Sequence, residues 1–496
     1  MAHASASPSQ AAYTYTLAWL NMSCGHRKHV FLLCLHALML LLLPNFAVSK
    51  AVIEYLPGYP GKLPFKLETG YVSVGDLEEV QLFYYFIESA RNPVRDPLLL
   101  WLTGGPGCSA LSGLVYEIGP LTFDYETFNG SLPSFVINPY AWTNIANIIF
   151  LDAPVGTGFS YSTTQEGYRS TDTLSSKSTY EFIRKWVTDH PQFSKNPLYI
   201  AGDSYSGVIV PMVTLHIANG NNAKLKPHLS LQGYMLGNPV TNVHDDENSR
   251  VQYYHRVGLI PNEIYNEAKT HCNGEYVTPD PDNVKCVNAI ALIAVCTLQV
   301  CDAHILEPKC SFASPKPKGL QWGRRFFEDE PVDLILATRQ EAEENWCRNS
   351  NYVLSYVWAN DASVQEALHI RNGTIEDWNR CNKSLDYTTD ILSTVDYHKV
   401  LIKDGYRALV YSGDHDMLIP YTGTVTWIHS LNFTIVDGWR PWFVEGQIAG
   451  FTVRYRKAIG DGLVFATVKG AGHTAPEYKP KQCLAMVDRW LSYYLI

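Results

Sequence analysis

The chain has 496 residues, 46% of them hydrophobic and 18% charged, a profile that excludes a disordered or fibrous protein and leaves ample apolar side chain for a large core. With 39 basic residues against 48 acidic ones the formal net charge is −9. No basic surplus exists to hold nucleic acid or an anionic lipid surface.

In chain order, the first signal is N-terminal. Arg27 and Lys28 precede an apolar run from Val30 to Leu43, followed by Pro44 and by the small residues of Ala47-Val48-Ser49. A basic region, an apolar region and a small-residue cut site predict a secretory signal peptide over residues 1–49, cleaved before Lys50. Met22 is an alternative start. An uncleaved membrane anchor is the alternative fate, for which the apolar run is short, and no later segment reaches membrane length without charges. Cleavage removes Arg27 and Lys28 and no acids, leaving 37 basic and 48 acidic residues and a net charge of −11. Four N-x-S/T sequons follow, at Asn129, Asn372, Asn382 and Asn432, and about three are expected to carry glycan. Nine cysteines remain after cleavage, and in an oxidising compartment most of them are expected to pair.

A strand predicted over 98–103 ends in Gly104-Gly105-Pro106-Gly107. Glycines at such a turn let backbone N–H groups approach a developing oxyanion. A phosphate-cradling loop is the rival, but no Gly-Lys-Ser/Thr follows and the spacing of a dinucleotide loop is absent. Beyond a strand over 147–152 and a helix over 172–189, the run Pro197–Ala201 leads as a strand into Gly202-Asp203-Ser204-Tyr205-Ser206-Gly207, and a helix over 206–219 follows. A serine between small residues at a strand-to-helix corner is how an α/β sheet exposes a nucleophile. Ser206 departs from that pattern, standing where its second glycine is expected.

After a strand over 231–236 the texture changes. Residues 245–350 read as a cap-like insertion, with Ser314-Pro315-Lys316-Pro317-Lys318-Gly319 and Arg324-Arg325 marking an exposed connector over about 311–330. Cys296, Cys301 and His304 lack a matching second pair of ligands, so no metal is expected there. A helix over 388–404 precedes a strand over 406–412, which ends at Asp414-His415-Asp416. A strand over 463–468 runs into Gly470-Ala471-Gly472-His473, and a helix over 480–494 closes the chain.

Ser204, Asp416 and His473 thus follow one another in the order of a hydrolase triad. Each lies in a loop just past the end of an apolar strand, the edge where open α/β sheets bind ligands. Strands alternating with helices predict an α/β protein of α/β-hydrolase fold, with a mostly parallel central sheet and helices on both faces, as one catalytic domain over residues 50–496. No site for ATP, CoA or another cofactor is visible.

Trp101–Ser109, Gly202–Gly207, Gly413–Asp416 and Gly470–Pro476, with Phe150–Tyr161, together resemble the serine carboxypeptidase family of α/β-hydrolases. The resemblance runs from about Pro57 to Ile496. It implies Ser204 as nucleophile, His473 as general base and acid, and Asp416 as the carboxylate that orients the imidazole, with the N–H groups of Gly105 and Tyr205 as oxyanion donors. It also implies disulfides Cys108–Cys381, Cys272–Cys286 and Cys310–Cys347. Cys296–Cys301 is then a candidate fourth bridge, leaving Cys483 free.

Two departures stand out. Peptidase members usually read Asn-Gly-Gly-Pro-Gly and Gly-Glu-Ser-Tyr-Ala-Gly, where this chain has Thr103 and Asp203. Those side chains, with Gly104 and a carboxyl partner at the position of Glu117, form the part of the site that holds a substrate's terminal carboxylate. One carboxyl of such a pair stays protonated and donates. A shorter acid and a hydroxyl in place of an amide should bind a carboxylate less well. The combination is similar to the plant serine carboxypeptidase-like acyltransferases, as are Asp414–Pro420 and Trp439–Trp442. That resemblance implies transfer of a hydroxycinnamoyl or galloyl group from a 1-O-β-glucose ester to an alcohol or amine, with small-molecule partners only. It favours the vacuole over the cell exterior. An acidic carboxypeptidase is the second reading and a non-enzymatic binding relative the third.

Overall fold

Leu98-Leu99-Leu100-Trp101-Leu102 is apolar at every position, and a strand without polar alternation must be covered on both faces. The computed structural model, which describes residues 50–309, 348–456 and 462–496, places it inside a twelve-stranded sheet. Its main strands are β1 (Lys50–Tyr55), β2 (Lys62–Val74), β3 (Val80–Ile87), β4 (Leu98–Leu102), β5 (Asn147–Leu151), β6 (Leu198–Asp203), β7 (Leu231–Gly237), β8 (Arg407–Gly413), β9 (Thr434–Val444), β10 (Gln447–Arg456) and β11 (Leu463–Val468). They lie in the order β1-β2-β3-β5-β4-β6-β7-β8-β11-β10-β9. The six from β5 to β11 pair in parallel, while β1–β3 and β9–β10 extend the two edges antiparallel. Every predicted strand appears within one residue of its expected bounds.

Successive side chains along these strands go to opposite faces. Leu99, Trp101, Tyr199, Met235, Leu409 and Tyr411 join one core with Val487 and Trp490. Leu98, Leu100, Leu102, Ile200 and Val410 join the other with Trp186, Val210, Leu401 and Trp427. Helices cover both: α1 (Asp172–Asp189), α2 (Ser206–Asn222), α6 (Val395–Lys403) and α7 (Tyr421–Ser430) on the second face, and α8 (Pro480–Leu491) on the first. Thr171 caps α1, its hydroxyl accepting the N–H of Leu174 at 3.2 Å. The helix predicted over 388–404 begins only at Val395. Before it, the N–H groups of Asp390 and Ile391 donate to the buried Asp172 carboxylate at 2.8 and 3.0 Å, which holds that stretch out of the helix. The last helix stops at Leu491 rather than residue 494, since Tyr493 adopts a left-handed φ of 62°.

Within the predicted insertion stand α3 (Val243–Arg256), α4 (Asn262–Cys272) and α5 (Val284–Thr297). They share a small core of Val251, Ile260, Ala268, Ala289 and Ile293, and the Cys272–Cys286 disulfide staples α4 to α5. Cys108–Cys381 forms as well. The candidate Cys296–Cys301 bridge does not: Cys296 faces solvent from α5, whereas Cys301 turns inward beyond the helix end, and both are free. Cys483 is free and fully buried. Cys310, Cys347, the connector over 311–330 and the signal peptide over 1–49 lie outside the described residues. Among those described, no helix is long and apolar enough to cross a membrane. Asn129, Asn372 and Asn432 are exposed, whereas Asn382 is half-buried and its Nδ2 donates to the Gly156 carbonyl at 2.9 Å.

Register is what matters for function. Leu102 of β4 sits opposite Gly202 of β6, Asp203 opposite Gly237 of β7, Gly237 opposite Tyr411 of β8, and Gly413 opposite Val468 of β11. Turns leaving these five strands therefore emerge side by side. The turn after β4 is further held at its far side by Cys108–Cys381, by Ser109 N–H donating to the Arg380 carbonyl at 2.7 Å, and by Asn382 N–H donating to the Gly107 carbonyl at 2.8 Å. Since the bridge spans 273 residues of sequence, the Cys108→Ser/Cys381→Ser variant is expected to lose about 2–5 kcal/mol of stability. Thermal melting monitored by circular dichroism checks this, and an unchanged Tm would contradict it.

Candidate active site

At the end of β6 the chain must reverse into α2 within two residues, and Ser204 takes that corner with φ of +54°. A left-handed serine is strained, and here the strain is set by the surroundings. Its N–H donates to the Gly237 carbonyl and its carbonyl accepts from Val240, both at 2.9 Å. A Cβ on Gly202 would lie 2.4 Å from the Leu102 carbonyl oxygen and 2.7 Å from Ser206 Cβ, so glycine is required there. This also explains how Ser206 is tolerated in place of a second glycine. Its hydroxyl fills the space that Gly202 leaves and donates to the Leu102 carbonyl at 2.9 Å.

The loop after β11 brings His473 alongside: Nε2 lies 2.7 Å from Ser204 Oγ and Nδ1 lies 2.8 Å from Asp416 Oδ2. An ionised carboxylate only accepts, so the imidazole proton sits on Nδ1 and Nε2 is left to receive the serine proton. Asp416 is wholly buried, a placement that an ionised group tolerates only when well supplied with donors. Besides His473 it accepts from Leu418 N–H at 2.8 Å, Ile419 N–H at 3.3 Å and the Nδ2 of Asn238 at 2.8 Å. Burial works to lower the His473 pKa, but the charge and hydrogen bond of Asp416 outweigh it and hold the imidazole above its ordinary value.

Asn238 escaped the sequence reading. It follows β7 in a left-handed conformation, φ +42°, which asparagine tolerates well, and its Oδ1 accepts the N–H of Gly413 at 3.0 Å. One side chain thus ties β7 to the start of the loop that carries Asp416. The only sequence signal was a strand ending in Gly237-Asn238-Pro239.

The glycine-rich turn after β4 abuts the serine. A Cβ on Gly104 would fall 2.5 Å from Ser204 Cβ and 2.8 Å from the Tyr205 nitrogen, so no other residue permits the approach. Gly104 N–H is taken by Asp203 Oδ1 at 3.2 Å. The N–H groups of Gly105 and Tyr205 find no acceptor among the described residues. The Tyr205 ring is anchored away from the serine, its hydroxyl donating to Asp172 at 2.7 Å. Thr103 Oγ1 accepts from the Trp101 indole at 3.2 Å.

Beside this turn lies a set of buried carboxyls. Burial raises Asp203 to about 6, against the pull of His473 and of the Gly104 N–H. Glu117 is pushed well above the usual carboxyl range by burial and by the charges of Asp203 and Glu477, and its Oε2 has no hydrogen-bond partner among the described residues. Among the described residues Glu117 feels the charge of Asp203 without a hydrogen bond to it. Glu477, which the sequence reading also missed, is a third member; it accepts from Thr474 Oγ1 at 2.7 Å and from Tyr352 OH at 2.8 Å. Among the described residues no group of His, Cys, Asp and Glu is arranged to hold a metal ion.

Comparison with known proteins gives the family and the fold. The family model described as serine carboxypeptidase matches residues 57–493. The chain is 45% identical to serine carboxypeptidase-like 2 of Arabidopsis thaliana, over 90% of this chain and 93% of that protein. It is 46% identical to serine carboxypeptidase-like 16 of the same plant, over 92% and 97%. Among solved structures, Kex1Δp, a prohormone-processing carboxypeptidase from Saccharomyces cerevisiae, superposes with a TM-score of 0.67, covering 91% of this chain and 97% of that one at 18% identity, which confirms the α/β-hydrolase fold.

Two outcomes are expected. Asn238→Leu strips a donor from a buried carboxylate and should cost about 1.5–3 kcal/mol of stability, together with a fall in kcat, readable by melting and steady-state kinetics. Separately, the rate of Ser204 acylation should rise with pH through a midpoint above the ordinary imidazole value of about 6.5, because His473 must be neutral to accept the proton. The His473–Asp416 attraction correspondingly stabilises the fold below about pH 6.5 and fades as pH climbs through the raised value. A pH profile of kcat/KM whose acid limb lies below 6 would contradict this.

Proposed function

The chain belongs to the serine carboxypeptidase family, and within that family we propose that it is an acyltransferase. Its donor is a 1-O-β-glucose ester, with hydroxycinnamoyl or galloyl as the acyl group, and its acceptor is an alcohol or amine. The observation that carries this reading is the state of Thr103 and Asp203. Where a carboxypeptidase presents an amide and a longer acid to its substrate's terminal carboxylate, here Thr103 accepts from the Trp101 indole and has a single O–H to offer, and the shorter Asp203 carboxyl accepts from Gly104 N–H. Neither supplies the N–H donor pair that a free carboxylate needs.

The steps follow from the geometry. Ser204 Oγ attacks the ester carbonyl as its proton passes to His473 Nε2, and the imidazolium is held by Asp416. The carbonyl oxygen becomes an oxyanion received by the N–H groups of Gly105 and Tyr205, each worth roughly 3–4 kcal/mol of barrier. Collapse breaks the bond to the glucose anomeric oxygen, which leaves with the proton from His473. The acceptor hydroxyl then surrenders its proton to His473 and attacks the acyl-serine, and collapse of the second adduct returns the proton to Ser204. An anomeric ester is already activated, so no nucleotide or thioester is needed. Limited water at the acyl-enzyme favours transfer over hydrolysis.

A second reading, an acidic carboxypeptidase, is favoured by one observation: Glu117 and Asp203 still lie in each other's field, both raised. Residues 1–49 as a cleaved signal, passage through the secretory pathway to the vacuole, glycans on the exposed sequons and processing within 311–330 complete the proposal. If the connector is cut, Cys108–Cys381 still joins the pieces.

Purified enzyme given a hydroxycinnamoyl or galloyl glucose ester with alcohol and amine acceptors, and separately a blocked dipeptide, tests the reading. Acyl transfer with slow dipeptide cleavage is expected; rapid release of C-terminal residues without transfer would overturn it. In the Thr103→Asn/Asp203→Glu variant dipeptide hydrolysis should rise about tenfold or more, since the carboxylate regains its donors.

A further inference from the structure

The insertion between β7 and β8 does more than stand beside the site. After α5 it returns to the loops that carry His473 and Asp416 and pairs with both through backbone bonds. His473 N–H donates to the Ala303 carbonyl at 2.8 Å, Ile305 N–H to the His415 carbonyl at 3.0 Å, and Met417 N–H to the Asp302 carbonyl at 3.1 Å. The fit is close: a Cβ on Gly472 would lie 2.3 Å from the Ala303 carbonyl oxygen. The His304 ring packs between His415 and Tyr478, at centroid distances of 5.1 and 4.9 Å.

Side chains extend the same contact. Glu307 ends this stretch and takes a bidentate grip on Arg348, with Nη2–Oε1 at 2.8 Å and Nε–Oε2 at 3.2 Å. Arg348 Nη1 reaches Glu477 Oε1 at 3.6 Å, and the guanidinium stacks over Tyr478 at 4.3 Å. Glu477 in turn holds Thr474, the residue next to His473, through its hydroxyl at 2.7 Å. All three charged side chains are largely withdrawn from water, with 16% of Glu307, 21% of Arg348 and 7% of Glu477 exposed. Ion pairs so placed are screened far less than surface pairs.

We propose that Cys301–Glu307 is a positioning strut for His473 and Asp416, and that Arg348 and Glu477 are positioning residues coupling it to the histidine loop. None of them reaches the reacting atoms. Their effect is to fix where the imidazole stands, and a displacement of about 1 Å at such a group costs up to roughly a hundredfold in rate. The inference rests on the reading of Ser204 and His473 as nucleophile and base, but not on the identity of the acyl donor.

The test uses a serine-directed fluorophosphonate on the full chain, scoring the rate of Ser204 modification at saturation separately from the half-saturating concentration. Arg348→Gln and Glu477→Gln should each slow the saturated rate roughly ten- to a hundredfold, leaving half-saturation nearly unchanged. The double variant should be no slower than the worse single one, because the two act in one chain of contacts. Arg348→Lys, which keeps the charge but loses the fork to Glu307, should recover part of the loss. Unchanged rates, a change confined to half-saturation, or simple multiplication of the two losses would overturn the strut. Should Arg348→Gln fail to fold by thermal melting, Glu477→Gln, nearly the same in size and shape, decides the matter. A wild-type enzyme that is not labelled at Ser204 would overturn the underlying reading and the strut with it, whereas labelling that the variants leave untouched removes the strut alone.

Discussion

One hydrogen-bonded line, Asp416 to His473 to Ser204, is the constraint on which the rest of the structure depends. Its two bonds, 2.8 and 2.7 Å, require three groups from loops 57 and 212 residues apart in sequence to meet within hydrogen-bond tolerance. A buried carboxylate at one end must be supplied with hydrogen-bond donors, because an unsatisfied charge away from water is costly. That need accounts for Asn238, for the N–H groups of Leu418 and Ile419, and for the left-handed turn that aims the asparagine. At the other end the serine must stand clear of the sheet, and this accounts for glycine at positions 104 and 202.

Around that line the protein spends its remaining polar burial on two sides. On one side, Asp152 is raised to about 6 by burial although it accepts from Ser109 Oγ at 2.7 Å, Ala110 N–H at 2.8 Å and Phe159 N–H at 2.9 Å, bonds that pin the glycine-rich turn to the loop after β5. On the other, Asp203, Glu117 and Glu477 gather beside the glycine-rich turn, with Glu117 in the field of the other two. Three acids in one buried region resist simultaneous ionisation, so part of the set is held protonated.

The insertion belongs to this economy. Its helices bury a core too small to stand alone, and what fixes them is their return to the catalytic loops at Asp302–Ile305 and the Glu307–Arg348–Glu477 chain of charges. Conversely, the His473 loop, rich in glycine and alanine, gains its rigidity from outside itself.

Much of this was legible in the residues. Six strands, the helix Asp172–Asp189, the serine corner and the order Ser204, Asp416, His473 rest on local apolar runs and turn chemistry, which short stretches of sequence encode by themselves. Where reading failed, the reason was tertiary: the stretch before Val395 looks helical, but the distant Asp172 carboxylate claims its N–H groups. Cys296 and Cys301 remain as a candidate pair once the other bridges are assigned, yet one faces water and the other the interior. Asn238, Glu477 and Arg348 carry no motif, because their importance lies in what they touch and not in what surrounds them along the chain. By itself the sequence determined most of the elements, the family and the chain order of Ser204, Asp416 and His473; the tertiary structure alone decided which side chains hold them in place, since strand register and loop packing set distances between residues that no local pattern relates.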